Sequence, residues 1–384
     1  MAGIYIHIPF CKKACHYCNF HFSTSLHRKP ELISALLREI DSLGFPGKPD
    51  ISPPIETIYF GGGTPSLLSE RELDSLLTKI REQFNIAENT EITLEANPDD
   101  ITADALTGWK MLGINRLSIG IQSFRQEDLS WMNRAHNATH ALNCIELASA
   151  KGFNDLNIDL IYGTPTLDHD AWLSNLEIAG KSGVNHLSCY ALTVEENTAL
   201  HHFIKKGKLL SPPEEKQAEQ FELLMDWAAG ACWDHYEISN LCIPGHQSRH
   251  NSNYWSGKAY WGFGPSAHSF DGIKTRWNGI ANNARYIDTW LNNNGTPYET
   301  EVLSAIEQLN EKIMTGLRKR TGIMVKEGDR TIEGLPVDEH SFAHWIKNVE
   351  KFENEGLCML KEEQLFLTKK GKLFADHIAS DLFF

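Results

Sequence analysis

At 384 residues the chain exceeds what one hydrophobic core usually organises, so a large domain plus a smaller one is expected. Its 50 acidic against 36 basic residues leave a formal charge of −14, which argues against broad phosphate-backbone binding and removes nucleic acid from the expected partners. The apolar share of 41% is that of an ordinary globular protein, and charge, Gly or Pro breaks every apolar run before it could span a bilayer.

The opening Met-Ala-Gly-Ile-Tyr-Ile-His-Ile-Pro-Phe is apolar but has no basic leader. It reads as a strand, Ile4 to Ile8, rather than a signal peptide, and the expected location is the cytoplasm. Helical spacing follows from Pro30 to Leu43, then a strand from Thr57 to Phe60 ending at Gly61. Ser69 and Glu72 form a capping box for a helix carrying Leu73, Leu76, Leu77 and Ile80. The pattern repeats with a strand from Glu91 to Glu95, a helix capped by Thr102 that ends near Gly113, and a strand from Arg116 to Ile121. Helical segments run to Lys151, followed by a strand from Leu156 to Tyr162, a helix from Asp170 to Lys181 and a strand from His186 to Leu192. Ser211-Pro212 reads as the cap and first residue of the next helix. Six β/α units in series imply a parallel sheet with helices outside it and function at the C-terminal ends of the strands.

Beyond Tyr236 the alternation gives way to turn-rich sequence. From about Leu303 two helices (Ala305 to Arg318, Phe342 to Glu355), a hairpin between Leu357 and Leu367 and a last helix from Lys370 to Leu382 describe a small α+β domain with a winged-helix flavour. The expected division is 1–235 for an incomplete (β/α)6 barrel, 236–300 for a connection and 301–384 for the C-terminal domain.

Eight cysteines are present. Cys144, Cys189, Cys232, Cys242 and Cys358 lie scattered in apolar surroundings and read as small buried hydrophobes. Cys11, Cys15 and Cys18 sit on one loop directly after the first strand. Three thiolates so placed suit three irons of a cubane with the fourth left open. They equally suit tetrahedral zinc with His7, His16 or His21 as fourth ligand, and spacing alone leaves both open.

C-x3-C-x2-C at the end of the first strand of a β/α barrel resembles the signature of the radical S-adenosylmethionine (SAM) superfamily. That resemblance implies a 4Fe–4S cluster on the three cysteines, SAM chelated to the open iron, and Tyr17 beside the adenine. It also implies that a reduced cluster can cleave SAM to a 5′-deoxyadenosyl radical. Over nearly the whole chain the likeness is to the oxygen-independent coproporphyrinogen III oxidase branch. Gly61-Gly62-Gly63-Thr64-Pro65 then matches the backbone cradle for the methionine end of SAM, through Gly62, Gly63 and Thr64. Glu95 matches the ribose-binding carboxylate, and Tyr5, Gln122, Arg134, Asp159 and Ala191 match further cofactor contacts.

Two departures from the oxidase stand out. Phe20 occupies the place of its additional cysteine, and its N-terminal extension is missing before the first strand. Both argue against coproporphyrinogen III dehydrogenation, which remains the alternative activity. His250-Asn251-Ser252-Asn253-Tyr254-Trp255, with Tyr236 to Asn240 and Gly264 to Ser269, instead resembles a heme-chaperone subfamily of the branch. The expected cargo is heme, with His250 as iron ligand, His268 in reserve, and Tyr254 and Trp255 offering flat apolar surface. Heme-acceptor proteins of respiration, an electron donor and a transient membrane contact are the partners such a role calls for.

Overall fold

The computed structural model describes residues 2–42, 54–293, 295 and 298–384. Six strands run parallel in chain order: β1 (Ala2–Ile8), β2 (Ile55–Gly62), β3 (Ile86–Ala96), β4 (Arg116–Gln122), β5 (Asp155–Tyr162) and β6 (His186–Ala191). The connections return through α1 (Lys29–Ser42), α2 (Glu70–Gln83), α3 (Ala103–Met111), α4 (Gln126–Trp131), α5 (Ala138–Ala150) and α6 (His169–Lys181). Leu43, where the sequence ends the first helix, lies outside the described residues. The Ser69–Glu72 capping box forms, and the Thr102 side chain accepts from the Ala105 N–H.

The strands are buried on both faces, as a parallel barrel requires. Ile4, Ile6 and Ile8 join Leu32, Leu36 and Ile40 in the core between strands and helices. The alternate face of each strand is polar. Inside the barrel Asn157 donates to Ser118 Oγ (2.8 Å), His186 donates to Asn157 Oδ1 (2.6 Å) and Tyr236 OH lies 2.7 Å from His186 Nε2. Ser188 donates to Asn240 Oδ1 (2.9 Å), so two residues of the Tyr236–Asn240 segment close this interior network.

Beyond β6 the structure departs from the sequence reading. A short α7 (Ala199–Lys205) was not anticipated, and α8 spans Glu214–Gly230 with Pro213 in the cap position. The physical reason is the second proline: Pro212 precedes Pro213 and is held out of helical geometry. After Tyr236 the chain returns to the same sheet. β7 (Asn240–Cys242) pairs antiparallel with β6, and beyond α9 (Arg249–Trp255) β8 (Tyr260–Phe263) pairs parallel with β1. β9 (His268–Phe270), β10 (Thr275–Gly279) and β11 (Tyr298–Val302) extend that edge antiparallel, with α10 (Asn283–Asn292) packed on α1.

The C-terminal domain has its own core and an antiparallel sheet in the order β14-β13-β12-β16-β15. Its elements are α11 (Ala305–Arg318), β12 (Ile323–Lys326), β13 (Thr331–Ile332), β14 (Leu335–Pro336), α12 (Glu339–Asn354), β15 (Cys358–Lys361), β16 (Gln364–Leu367) and α13 (Ala375–Asp381). The expected last helix is broken: Gly371–Phe374 forms a 3-10 turn ahead of α13, with Leu373 N–H donating to Lys370 O (3.3 Å) and Gly371 packed too closely on the Leu357 carbonyl to carry a Cβ. One buried reading is overturned. Cys232 is exposed, at a left-handed turn (φ +59°) just past the end of α8, whereas Cys144, Cys189, Cys242 and Cys358 are buried as expected.

Candidate functional site

The cysteine loop leaves β1 at Pro9 and is tied back on itself, with Ser23 N–H donating to Pro9 O (2.9 Å) and Cys11 N–H to Ser23 O (3.0 Å). The β4–α5 connection pins its far side. His16 N–H donates to Met132 O (3.2 Å), His16 Nδ1 to Trp131 O (2.9 Å) and Asn133 Nδ2 to Ala14 O (2.8 Å). The loop is thus held at the C-terminal mouth of the barrel, with Cys11, Cys15 and Cys18 each partly buried. Phe20 is 73% exposed beside them.

One hydrogen-bond chain links two of the thiols. Thr64 Oγ1 donates to Cys11 Sγ (3.5 Å), Asn97 Nδ2 to Thr64 Oγ1 (3.2 Å), Arg134 Nη2 to Asn97 Oδ1 (2.7 Å) and Arg134 Nη1 to Cys15 Sγ (3.3 Å). Arg134 also reaches Gly120 O (2.8 Å) and Tyr17 OH (3.5 Å). Asn97 escaped the sequence reading. Its signal was Pro98, which keeps the preceding residue extended (φ −87°, ψ 147°) at the end of β3.

Of the three candidate zinc histidines, His7 has both ring nitrogens engaged, while His16 and His21 each engage one. His7 Nε2 donates to His21 O (2.9 Å) and its Nδ1 faces Tyr5 OH (3.1 Å), His16 binds Trp131 O, and His21 Nε2 lies 2.7 Å from Asn283 Oδ1. Among the described residues no three His, Cys, Asp or Glu side chains form a group that could hold a single metal ion. A cubane with a separate iron for each thiolate does not require that convergence. Burial pushes the Cys18 thiol up to about 11 and raises Cys11 also, so a cluster would have to displace their protons.

The glycine run packs too closely for side chains. A Cβ on Gly63 would lie 2.6 Å from Phe10 O and 2.8 Å from Ile8 O, and Gly62 sits at φ +106° against His7. Its neighbour Glu95 accepts from Tyr59 OH at one oxygen (2.8 Å) and from Gly62 N–H at the other (3.1 Å). Burial, reinforced by Asp159, pushes the Glu95 carboxyl up to about 7. Asp159 accepts from Asn157 (2.8 Å), and burial pushes it up to about 6. Gln122 adopts φ +67° at a bulge between β4 and β5, which brings its amide beside Gly120 and Arg134. Ala191 ends β6. Two half-buried carboxyls, a bare backbone run and three thiols around one polar mouth fit a chelating, cationic, hydroxyl-bearing cofactor.

His250 is elsewhere. It lies on α9 at the level of Thr57, near the start of β2, and of its register partner Glu91 at the middle of β3, away from the mouth. It is 3% exposed, its Nδ1 is 2.8 Å from Thr57 Oγ1, and its Nε2 has no hydrogen-bond partner among the described residues. His268 is exposed on β9, with Nδ1 2.8 Å from Asn278 Oδ1.

Residues 5–179 match the Radical SAM superfamily and residues 303–374 the HemN C-terminal domain. The heme chaperone HemW of Bacillus subtilis is 34% identical over 98% of this chain and 98% of that protein. HemW of Synechocystis is 35% identical over 83% of this chain and 78% of its own length. The solved structure of coproporphyrinogen III oxidase, HemN, from Escherichia coli superposes with a TM-score of 0.83 at 22% identity, covering 99% of this chain and 89% of that one.

Proposed function

This chain belongs to the HemW family of radical SAM proteins, and on that premise we propose that it is a heme chaperone, binding heme and passing it to acceptor proteins. In this reading Cys11, Cys15 and Cys18 hold a 4Fe–4S cluster. Gly62, Gly63 and Thr64 would cradle SAM beside that cluster, Glu95 would hold its ribose and Tyr17 its adenine, and Tyr5, Gln122, Arg134, Asp159 and Ala191 would line the rest of its site. When bound, the pair supplies one-electron chemistry at the barrel mouth. Arg134 and Thr64 hold the two thiolates they touch, and the glycine run leaves room for the cofactor.

The observation that carries this reading is the length of the likeness: it runs through barrel, connection and C-terminal domain alike, at 34% identity to a heme chaperone. Of the two histidines nominated for heme iron, His268 is the better presented, because it is exposed. His250 ligates only if α9 lifts from the barrel, since its imidazole is buried. Neither the relatives' names nor a feature among the described residues points to an electron donor or a membrane contact. No helix among the described residues is long and apolar enough to cross a membrane.

Heme titration followed by Soret absorbance, on anaerobically reconstituted protein and its His250→Ala and His268→Ala variants, tests the reading. Saturable, stoichiometric binding is expected in the wild type, with an altered Soret band in the variant that loses the ligand. An absence of saturable binding sinks the proposal and makes coproporphyrinogen turnover the next assay.

A further inference from the structure

The His250 motif is far from the cysteines, yet its histidine is joined to the mouth by a short run of contacts. Glu91 holds the start of α9 against the barrel, accepting from the backbone N–H groups of Arg249 (2.9 Å) and His250 (3.0 Å). The imidazole then lies on the Tyr59 ring, with centroids 4.9 Å apart and planes 20° from parallel, and Tyr254 closes its edge at 4.9 Å and 88°. Tyr59 is held from a second side by Tyr5, its register partner on β1, stacked at 6.1 Å. Above them the space ends at Gly61, where a Cβ would come within 2.8 Å of Tyr59, 2.9 Å of Tyr5 and 3.0 Å of Glu95 Oε1. Tyr59 is thus packed by His250, Tyr5 and the Gly61 backbone, and in this position its hydroxyl donates to Glu95.

We propose that His250 is a positioning residue for the SAM site: by packing against Tyr59 it fixes the hydroxyl that orients the Glu95 carboxylate, and so couples the His250–Trp255 segment to SAM binding. The inference rests on the reading of Glu95 as the ribose-binding residue. The imidazole acts here through its shape. Its Nδ1 is spent on Thr57 Oγ1 (2.8 Å), not on Tyr59, and its Nε2 has no hydrogen-bond partner among the described residues; a flat apolar ring therefore keeps the packing against Tyr59 at the cost of the Thr57 bond, while a methyl group leaves a void under Tyr59. A ligand or partner that moved α9 would loosen Tyr59 and with it Glu95, which gives the segment a path for signalling its state to the cofactor.

The test is SAM affinity, measured by equilibrium dialysis on reconstituted protein, together with the change that SAM makes in the electron paramagnetic resonance of the reduced cluster. Tyr59→Phe removes only the hydroxyl and is expected to weaken SAM binding roughly tenfold, the scale of one hydrogen bond to a charged group. His250→Ala is expected to weaken it comparably with cluster content unchanged, and the double variant no further than Tyr59→Phe alone. His250→Phe is expected to bind SAM like the wild type, although it cannot ligate iron, which separates this role from any part in heme binding. Wild-type SAM affinity in His250→Ala beside a weakened Tyr59→Phe overturns the coupling. Wild-type affinity in Glu95→Ala overturns the premise about the ribose.

Discussion

Glu39 offers a quantitative test of how the segment after β8 is fastened to the barrel. It lies on α1 with no exposed surface, and its oxygens accept from the hydroxyls of Tyr286 on α10 and Tyr298 on β11 and from the Gly264 N–H (2.8 Å). Burial outweighs these three donors and pushes the carboxyl up from 4.5 to about 7. Between those values the folded protein keeps a proton that the unfolded chain has released. The resulting stabilisation is full below pH 4.5 and is lost as the pH rises through 7. At about 1.36 kcal/mol per pH unit, the gap sets a ceiling of roughly 3 kcal/mol. Glu95 and Asp159, pushed up to about 7 and about 6, act in the same direction, so the site must be isolated by difference. Glu39→Gln keeps the volume; its amide oxygen accepts from Gly264 and Tyr286 while its NH2 donates to Tyr298. Urea midpoints of both proteins at pH 5 and pH 8 supply the difference. The wild type is expected to lose roughly 2–3 kcal/mol relative to the variant over that interval. A difference that stayed constant would refute the reasoning, since it would mean that the three donors keep Glu39 ionised throughout.

Replacing any one of Cys11, Cys15 or Cys18 with Ala is expected to abolish the cluster's visible absorption after anaerobic reconstitution, whereas Ser at Cys144, Cys189, Cys232, Cys242 or Cys358 leaves it intact. A full 4Fe–4S spectrum in one of the first three variants, or its loss in one of the last five, would overturn the ligand assignment. Gly63→Ala sets a Cβ against two backbone oxygens that cannot swing aside, so the junction of β1 and the cysteine loop must shift. It is expected to cost roughly 1–3 kcal/mol in urea unfolding, and an unchanged midpoint would show that the junction yields freely.

The parallel strands and the polar residues at their ends were legible because both signals are local. A strand's alternation, the glycine that ends it and the helix cap that follows all fall within a few positions, and the barrel then dictates that the strand ends share a mouth. What escaped was made by distant contacts. Asn97 matters because Thr64 and Arg134 flank it, 33 and 37 positions away. Asn-Leu-Cys and His-Ser-Phe are strands because β6 and β8 stand beside them, and three residues carry too little pattern to announce it. Cys232 sits between Ala231 and Trp233, which suggested burial, but α8 ends there and the left-handed turn carries the thiol outward.

His250 shows the limit most clearly. The motif's resemblance to a heme-chaperone subfamily makes His250 a candidate iron ligand, with Tyr254 and Trp255 offering flat apolar surface beside it. The direction it faces is decided instead by Glu91, 158 and 159 positions earlier, which takes the first two N–H groups of α9 and turns the imidazole inward. A carboxylate at a helix N-terminus is favoured by the exposed N–H groups there and by the helix dipole, so the orientation has a firm physical cause. That cause lies on β3, outside any window in which the motif would be read. The segment that marks the subfamily on sequence is therefore, in the fold, part of the wall behind the Tyr59–Glu95 contact. Any account of heme binding at His250 has to include the movement that would free it.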